Sequence, residues 1–191
     1  MKEDVSFVIK ASLLYCALAA TFSLLGIFLA EKGVPHQNPI VALSVKEIGG
    51  HLLWGLVAGA ATLSLRYTLL GGSFAVLIDS DHLIGFAPID SLSRMGHSIA
   101  FGAITIVVIL ALFGKRNYLL AATAFAAVFA HMSYDTFAGK DGQFPLLTPF
   151  YNQVINFPNS DWIFFEIVAV ALLGTLIIIK RKKHYLKIVE Q

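Results

Sequence analysis

Cysteine is almost missing from this 191-residue chain. Cys16 stands alone, which excludes an internal disulfide and argues against a thiolate-built structural zinc site. Charge is scarce too: 14% of residues are Asp, Glu, Lys or Arg, where a soluble domain carries about a quarter. With 57% hydrophobic residues, that deficit implies an integral membrane protein. No internal repeat, low-complexity tract or soluble linker appears, so residues 1–191 read as one transmembrane domain. A basic leader is absent as well. Lys2-Glu3-Asp4 precede the first apolar run, which is long enough to be expected as an uncleaved helix. The net charge of +2 separates no function classes.

Apolar runs of roughly 20 residues cross a bilayer as helices. Six spans are expected, at about 5–30, 48–66, 67–87, 97–113, 118–137 and 162–179, forming an all-α bundle. The second and third are nearly fused and should form a tight antiparallel pair, with Gly55, Ala58, Gly59 and Ala61 permitting close packing. Gly71-Gly72 is expected to loosen the third span near its start. Lys2, Lys10, Arg66, Lys115, Arg116 and the run Lys180 to Lys183 fall on one side of this layout. Lys32, Lys46, Arg94 and Lys140 fall on the other. The positive-inside rule then puts both termini in the cytoplasm of a cell-membrane protein. The C-terminal "KRKKHYLK" reads as an anchor touching anionic lipid rather than a nucleic-acid site.

Against this apolar background the ionisable residues gather at one depth. His51 opens the second span in "EIGGH", and Asp79, Asp81 and His82 close the third in "IDSDH". His97 opens the fourth, while His131 and Asp135 close the fifth in "HMSYD". In an up-and-down bundle these ends share one face, the outer one by the charge count. His36 lies in the first outer loop and His184 in the tail, apart from the rest. His131–Asp135 and Glu47–His51 are i,i+4 pairs, and Asp79–His82 is i,i+3. Asp81 points elsewhere in a regular helix, or inward if the chain unwinds near Ser80. Such spacings present metal ligands inside helix bundles. Imidazole with carboxylate suits Zn²⁺ above all, with Mn²⁺ or Fe²⁺ also compatible. Seven candidate ligands (His51, Asp79, Asp81, His82, His97, His131, Asp135) exceed the needs of one ion. They allow one to three, or leave some carboxylates to orient imidazoles.

These motifs, with "SRMGHS" and "FPLLTPF", resemble the inner-membrane-associated metal-dependent hydrolases, a family whose bacterial member is described as LexA-regulated. The resemblance covers about His51 to Phe150. His51 matches the family's early helical histidine. Asp79, Asp81 and His82 match its Pro-Asp-x-Asp-His element, with Ile78 in place of the proline. Arg94, His97 and Ser98 match the Arg and His-Ser, and His131, Asp135, Thr136 and Gly139 match the last motif. That family is grouped with zinc-dependent phospholipase C and single-strand nucleases. The resemblance therefore implies phosphoester hydrolysis by a zinc cluster.

Both lines lead to one expectation: metal-activated water attacking a (phospho)ester of a membrane lipid or lipid-linked substrate. Glu47 or Asp81 would accept the proton, and Arg94 would grip an anionic group. Arg94, Ser98, Thr136 and Lys140 are the candidate substrate contacts. The segment from Gly139 to Asp161 carries Pro145, Pro149 and Pro158, which exclude a regular helix, and Phe144, Phe150, Tyr151 and Phe157, which suit the headgroup level. It reads as a lid over the site or as a plain aromatic belt. Two other function classes stay open: a divalent-metal or proton transporter using the same cluster, and a structural or regulatory protein stabilised by metal. Runs such as "TIVVILALF" and "LLAATAFAAVF" lack acidic or histidine steps toward the cytoplasm, which favours a one-sided pocket.

Overall fold

The computed structural model describes residues 2–25, 43–86, 94–139, 142–151 and 153–189. Within them lie six α-helices: α1 (Lys2–Leu25), α2 (Val45–Ala60), α3 (Leu65–Leu77), α4 (Ile99–Phe113), α5 (Tyr118–Ala138) and α6 (Trp162–Val189). The protein is thus all-helical, apart from a two-residue antiparallel ladder pairing Gln143–Phe144 with Ile155–Asn156.

Alanine sets the centre of the bundle. Sixteen of the 21 residues of α5 are buried, so this helix is the core around which α2, α3, α4 and α6 pack. Its run of Ala121, Ala124, Ala126, Ala127 and Ala130 lets neighbours approach closely. From α1, Tyr15 donates to the Ala124 carbonyl at 3.0 Å and stacks on Phe74 at 4.4 Å between ring centroids.

α2 and α3 form the tight antiparallel pair, separated by only four residues, with Leu63 at the turn in the left-handed region (φ 54°). Glycine is required at the contact. A Cβ on Gly55 would lie 2.3 Å from the Gly71 carbonyl oxygen, and one on Gly71 would lie 2.5 Å from that of Gly55. Gly71 therefore does not loosen α3, which runs unbroken to Leu77; its missing side chain makes room for α2.

Helix lengths bear on the expected span pattern. Asp4–Leu25 and Asn159–Lys183 are long and apolar enough to cross a membrane. α2, α3 and α4 have 16, 13 and 15 residues, short of the roughly 20 that cross as α-helix alone. α5 has the length, but it is spent on the protein interior. The third expected span changes character instead of continuing as α-helix: residues Ile78–Phe86 form a 3₁₀ helix. The fourth begins with a separate 3₁₀ turn, Met95–His97. The sixth continues past residue 179 through the basic run to Val189. Residues 26–30 of the first span, and His36, lie outside the described residues.

Two contacts fix the ends. Arg66 pairs with Asp4, joining the starts of α1 and α3. At the far end of α1, Ser23 meets Asp81. Large apolar side chains face outward on several helices, among them Leu13 on α1, Leu53 on α2, Val107 on α4 and Ile167 on α6. The aromatic segment before α6 divides in two. Phe144 is fully buried against Phe157 and Phe165, whereas Phe150 is 85% exposed.

Candidate metal centre

The end of the bundle that holds the start of α2 and the close of α5 collects the ionisable residues. α2 carries His51 two turns beyond its N-cap, Ser44, whose hydroxyl accepts from the Glu47 N–H at 3.4 Å. The 3₁₀ helix after α3 carries Asp79, Asp81 and His82. A 3₁₀ run of nine residues is unusual, and such stretches mark strain or function. With three residues per turn, i and i+3 eclipse, so Asp79 and His82 share a face, and Asp81 between them is also buried with a carboxylate oxygen within 4.8 Å of both. The Ser80 hydroxyl ties this segment to α1 by donating to the Cys16 carbonyl at 3.2 Å. His97 sits in the 3₁₀ turn just before α4, whose N-cap Ser98 accepts from the Phe101 N–H at 3.0 Å. His131 and Asp135 share a face on the last turns of α5, which Gly139 ends in the left-handed conformation (φ 71°).

All seven candidate ligands are buried and close together. Asp79 is the hub. Its Oδ1 lies 3.2 Å from His82 Nε2, 3.3 Å from His97 Nε2 and 3.5 Å from His131 Nε2. Its Oδ2 lies 3.1 Å from His51 Nε2. Asp135 faces the same space, with His51 Nε2 at 3.3 Å and His131 Nε2 at 3.4 Å. The rings of His51 and His131 stack at 3.8 Å.

Hydrogen bonds fix two of these imidazoles as ligands-in-waiting. His131 Nδ1 is 2.7 Å from the Ala75 carbonyl oxygen, which can only accept, so Nδ1 carries the proton. In the neutral ring Nε2 then offers a lone pair. That nitrogen is buried without a hydrogen-bond partner, although two carboxylates lie near it. His97 Nε2 is 2.7 Å from Arg94 Nη2, and a guanidinium can only donate, so the lone pair of this nitrogen accepts from Arg94, and a metal bound there would displace that hydrogen bond. On its other side, His97 Nδ1 lies 3.9 Å from Asp81 Oδ2. Asp81 Oδ2 in turn accepts from the Ser23 hydroxyl at 3.1 Å. The carbonyl–His131 hydrogen bond is of the kind that orients metal ligands, whereas the Asp81–His97 separation is too long for a hydrogen bond.

Three overlapping groups have ligand atoms within 4.8 Å of one another: His51, His131 and Asp135; Asp79, His97 and His131; Asp79, Asp81 and His82. His131 and Asp79 each belong to two groups, so neighbouring sites would share them. The donor set is imidazole and carboxylate, the chemistry of Zn²⁺, Mn²⁺ or Fe²⁺. The residues fit a divalent metal, because lone pairs of nitrogen and oxygen converge where a cation would satisfy them.

The other expected site residues take mixed places. Arg94 is buried in the centre, with Nη2 3.4 Å from Asp135 Oδ2 and 3.8 Å from Asp79 Oδ1. Glu47 is buried one turn before His51 but lies outside the three ligand groups. Ser98 donates its hydroxyl proton to the Met95 carbonyl, and Thr136 donates its own to the Met132 carbonyl, both at 2.7 Å. Their protons are thus committed to the backbone. Lys140 lies outside the described residues.

Several participants are not announced by the sequence. Tyr134 meets the His51 ring edge-on at 4.7 Å and donates to the Lys46 carbonyl at 3.2 Å. A Cβ on Gly50 would overlap that phenol ring, so Gly50 makes its seat. Trp54, Phe137 and Trp162 continue an aromatic wall beside Tyr134. Glu166, on apolar α6, buries both carboxylate oxygens without a hydrogen-bond partner among the described residues. The nearby Ser133 hydroxyl instead donates to the Trp162 carbonyl at 2.8 Å. A partly buried carboxyl with at most a weak contact to Ser133 is destabilising, so Glu166→Leu should stabilise the fold by about 1 kcal/mol, read as a higher melting temperature in detergent. A stable variant that had lost function would instead assign Glu166 a working role.

No family model, curated protein or solved structure matches the chain.

Proposed function

We propose that the protein is a membrane-embedded metal-dependent hydrolase that cleaves a phosphoester of a lipid or lipid-linked substrate. The observation that carries this reading is the convergence of four buried imidazoles, His51, His82, His97 and His131, on the Asp79 carboxylate, with Asp135 facing the same space. The motif resemblance to inner-membrane metal-dependent hydrolases points the same way and supplies the phosphoester chemistry by analogy.

A six-pass arrangement is part of the proposal. α1 and α6 have the length and apolarity to cross. α3 together with its 3₁₀ continuation, at rises of about 1.5 and 2.0 Å per residue, reaches roughly the thickness of the hydrocarbon core. The outward apolar side chains of α1, α2, α4 and α6 would face acyl chains. By the positive-inside rule, the end bearing Lys115, Arg116 and Lys180 to Lys183 faces the cytoplasm. The His/Asp centre then opens near the outer headgroups, where phosphoester bonds lie.

His51, Asp79, His97, His131 and Asp135 would hold the metal, with His82 completing the cluster. A bound divalent metal supplies hydroxide at neutral pH and an electrophile for an ester oxygen. The chain's own residues do the rest. Arg94, within reach of both Asp79 and Asp135, would grip a phosphate oxygen through its planar fork. Glu47, buried but outside the ligand groups, takes a proton. Asp81, tied to Ser23, adds a negative charge on the Nδ1 side of His97.

One observation favours a second reading. Arg94 already supplies a positive charge between Asp79 and Asp135, so the cluster can be written as a metal-free ion-pair network that stabilises the bundle. Protein purified in detergent and mixed with phosphatidylglycerol, phosphatidylcholine or a polyprenyl phosphate separates the two. The hydrolase reading expects a headgroup product by mass spectrometry that chelator abolishes and added Zn²⁺ or Mn²⁺ restores. Metal-loaded protein that cleaves none of the three counts against it.

A further inference from the structure

The opposite end of the bundle holds a second feature that the hydrolase reading does not use. A groove of about 470 Å³ runs between the C-terminal turns of α6, the α2–α3 turn and the start of α5. Its floor is apolar, built by Leu119, Ile177 and Ile188. Lys180 and Arg181 line its edge, and Tyr67, Ser64 and Tyr185 add hydroxyl groups. No ion pair engages either cation among the described residues.

Helix geometry selects these two cations from the basic run. At 100° per residue, Ile177, Lys180, Arg181, Tyr185 and Ile188 fall on one side of α6, and Lys182 and Lys183 fall on the other. The sequence "KRKK" is therefore split: two charges face a built groove and two face away. The groove also lies at the right depth. Lys180 comes directly after the apolar stretch that starts at Trp162, about 27 Å along the helix at 1.5 Å per residue. A molecule seated there meets hydrocarbon on one side and the headgroup layer on the other.

We propose that this groove binds one anionic phospholipid, with its phosphate between Lys180 and Arg181 and an acyl chain along Leu119 and Ile177. Charge complementarity selects the occupant: two cations and several hydroxyls above an apolar floor suit a phosphodiester on two acyl chains better than a zwitterion or a free anion. Leu63, exposed at the turn beside the groove and held in the left-handed backbone region, adds an apolar rim facing the lipid tail. The inference rests on α6 crossing the membrane and needs nothing from the metal centre.

The test is native mass spectrometry of the full chain released from detergent containing dioleoylphosphatidylglycerol, dioleoylphosphatidylcholine or inorganic phosphate. One retained phosphatidylglycerol per chain is expected, with at least tenfold less phosphatidylcholine and no phosphate adduct. K180Q/R181Q should lose the lipid, while K182Q/K183Q, with the same change in net charge, should keep it. Unchanged helical circular dichroism shows that both variants fold. Equal loss in the two variants would overturn the site in favour of a diffuse basic anchor, and so would equal retention of phosphatidylcholine. Metal content, read on the same samples, stays at the wild-type level in every arm. A metal-free protein that still binds phosphatidylglycerol at this groove would refute the hydrolase reading and leave the lipid site standing.

Discussion

Asp79→Asn is expected to strip the protein of its metal. Asp79 is the residue that four imidazole nitrogens approach within 3.5 Å, and it belongs to two of the three ligand groups. An amide keeps the shape, loses the negative charge and offers a poor ligand. The loss of affinity should exceed the roughly 10- to 100-fold that removing an outer orienting partner costs. Stability provides a second reading of the same event. A ligand held at 100 times its dissociation constant stabilises the folded state by about 2.7 kcal/mol. Chelator should therefore lower the melting temperature of the wild-type protein, and Asp79→Asn should melt at that lower temperature with or without chelator. If the cluster is an ion-pair network instead, chelator shifts neither protein. Metal binding should also weaken as pH falls, because protons compete for the same imidazole nitrogens.

Arg94→Gln should separate chemistry from metal retention. In the hydrolase account Arg94 holds the anionic group of the substrate, so the variant keeps its metal while kcat/KM falls by roughly 10²–10³, the scale of losing one well-placed donor to developing charge. The same substitution has a different signature in the metal-free network. There, removing the guanidinium leaves Asp79 and Asp135 facing each other without their countercharge, and breaking a buried pair costs about 3–5 kcal/mol. A variant with normal melting temperature and metal content but little turnover supports the first account. A variant that fails to fold at ordinary temperature supports the second.

Much of this centre was legible before any coordinates. The i,i+4 spacing of His131 and Asp135 and the i,i+3 spacing of Asp79 and His82 are local, so a helix of either pitch presents them together. Depth was legible because every polar residue stood out against apolar sequence at the same end of its run. The α2–α3 pair was legible because glycine and alanine have no other reason to recur along Gly55, Ala58 and Gly59.

What the sequence concealed is mostly non-local. Nothing near Ser23 announces that α1 delivers a hydroxyl to Asp81, or that the Ala75 carbonyl fixes the tautomer of His131. Tyr134 was hidden between the two ligands of its own motif, and its role emerges only when Gly50 on α2 opens a seat for the ring. Gly71-Gly72 misled in the other direction, since local flexibility and close packing ask for the same residue. Hydropathy does not tell an apolar helix facing lipid from one facing protein, and α5 faces protein almost throughout. Ser98 and Thr136 matched a motif, yet their hydroxyl protons serve helix ends and turns.

Elemental analysis of the wild-type protein, purified without chelator, tests the metal centre most directly. The account predicts about one or more equivalents of zinc, manganese or iron per chain, lost together in His131→Ala. A folded wild-type protein that carries no transition metal, and whose melting temperature does not respond when Zn²⁺ or Mn²⁺ is added, would contradict it.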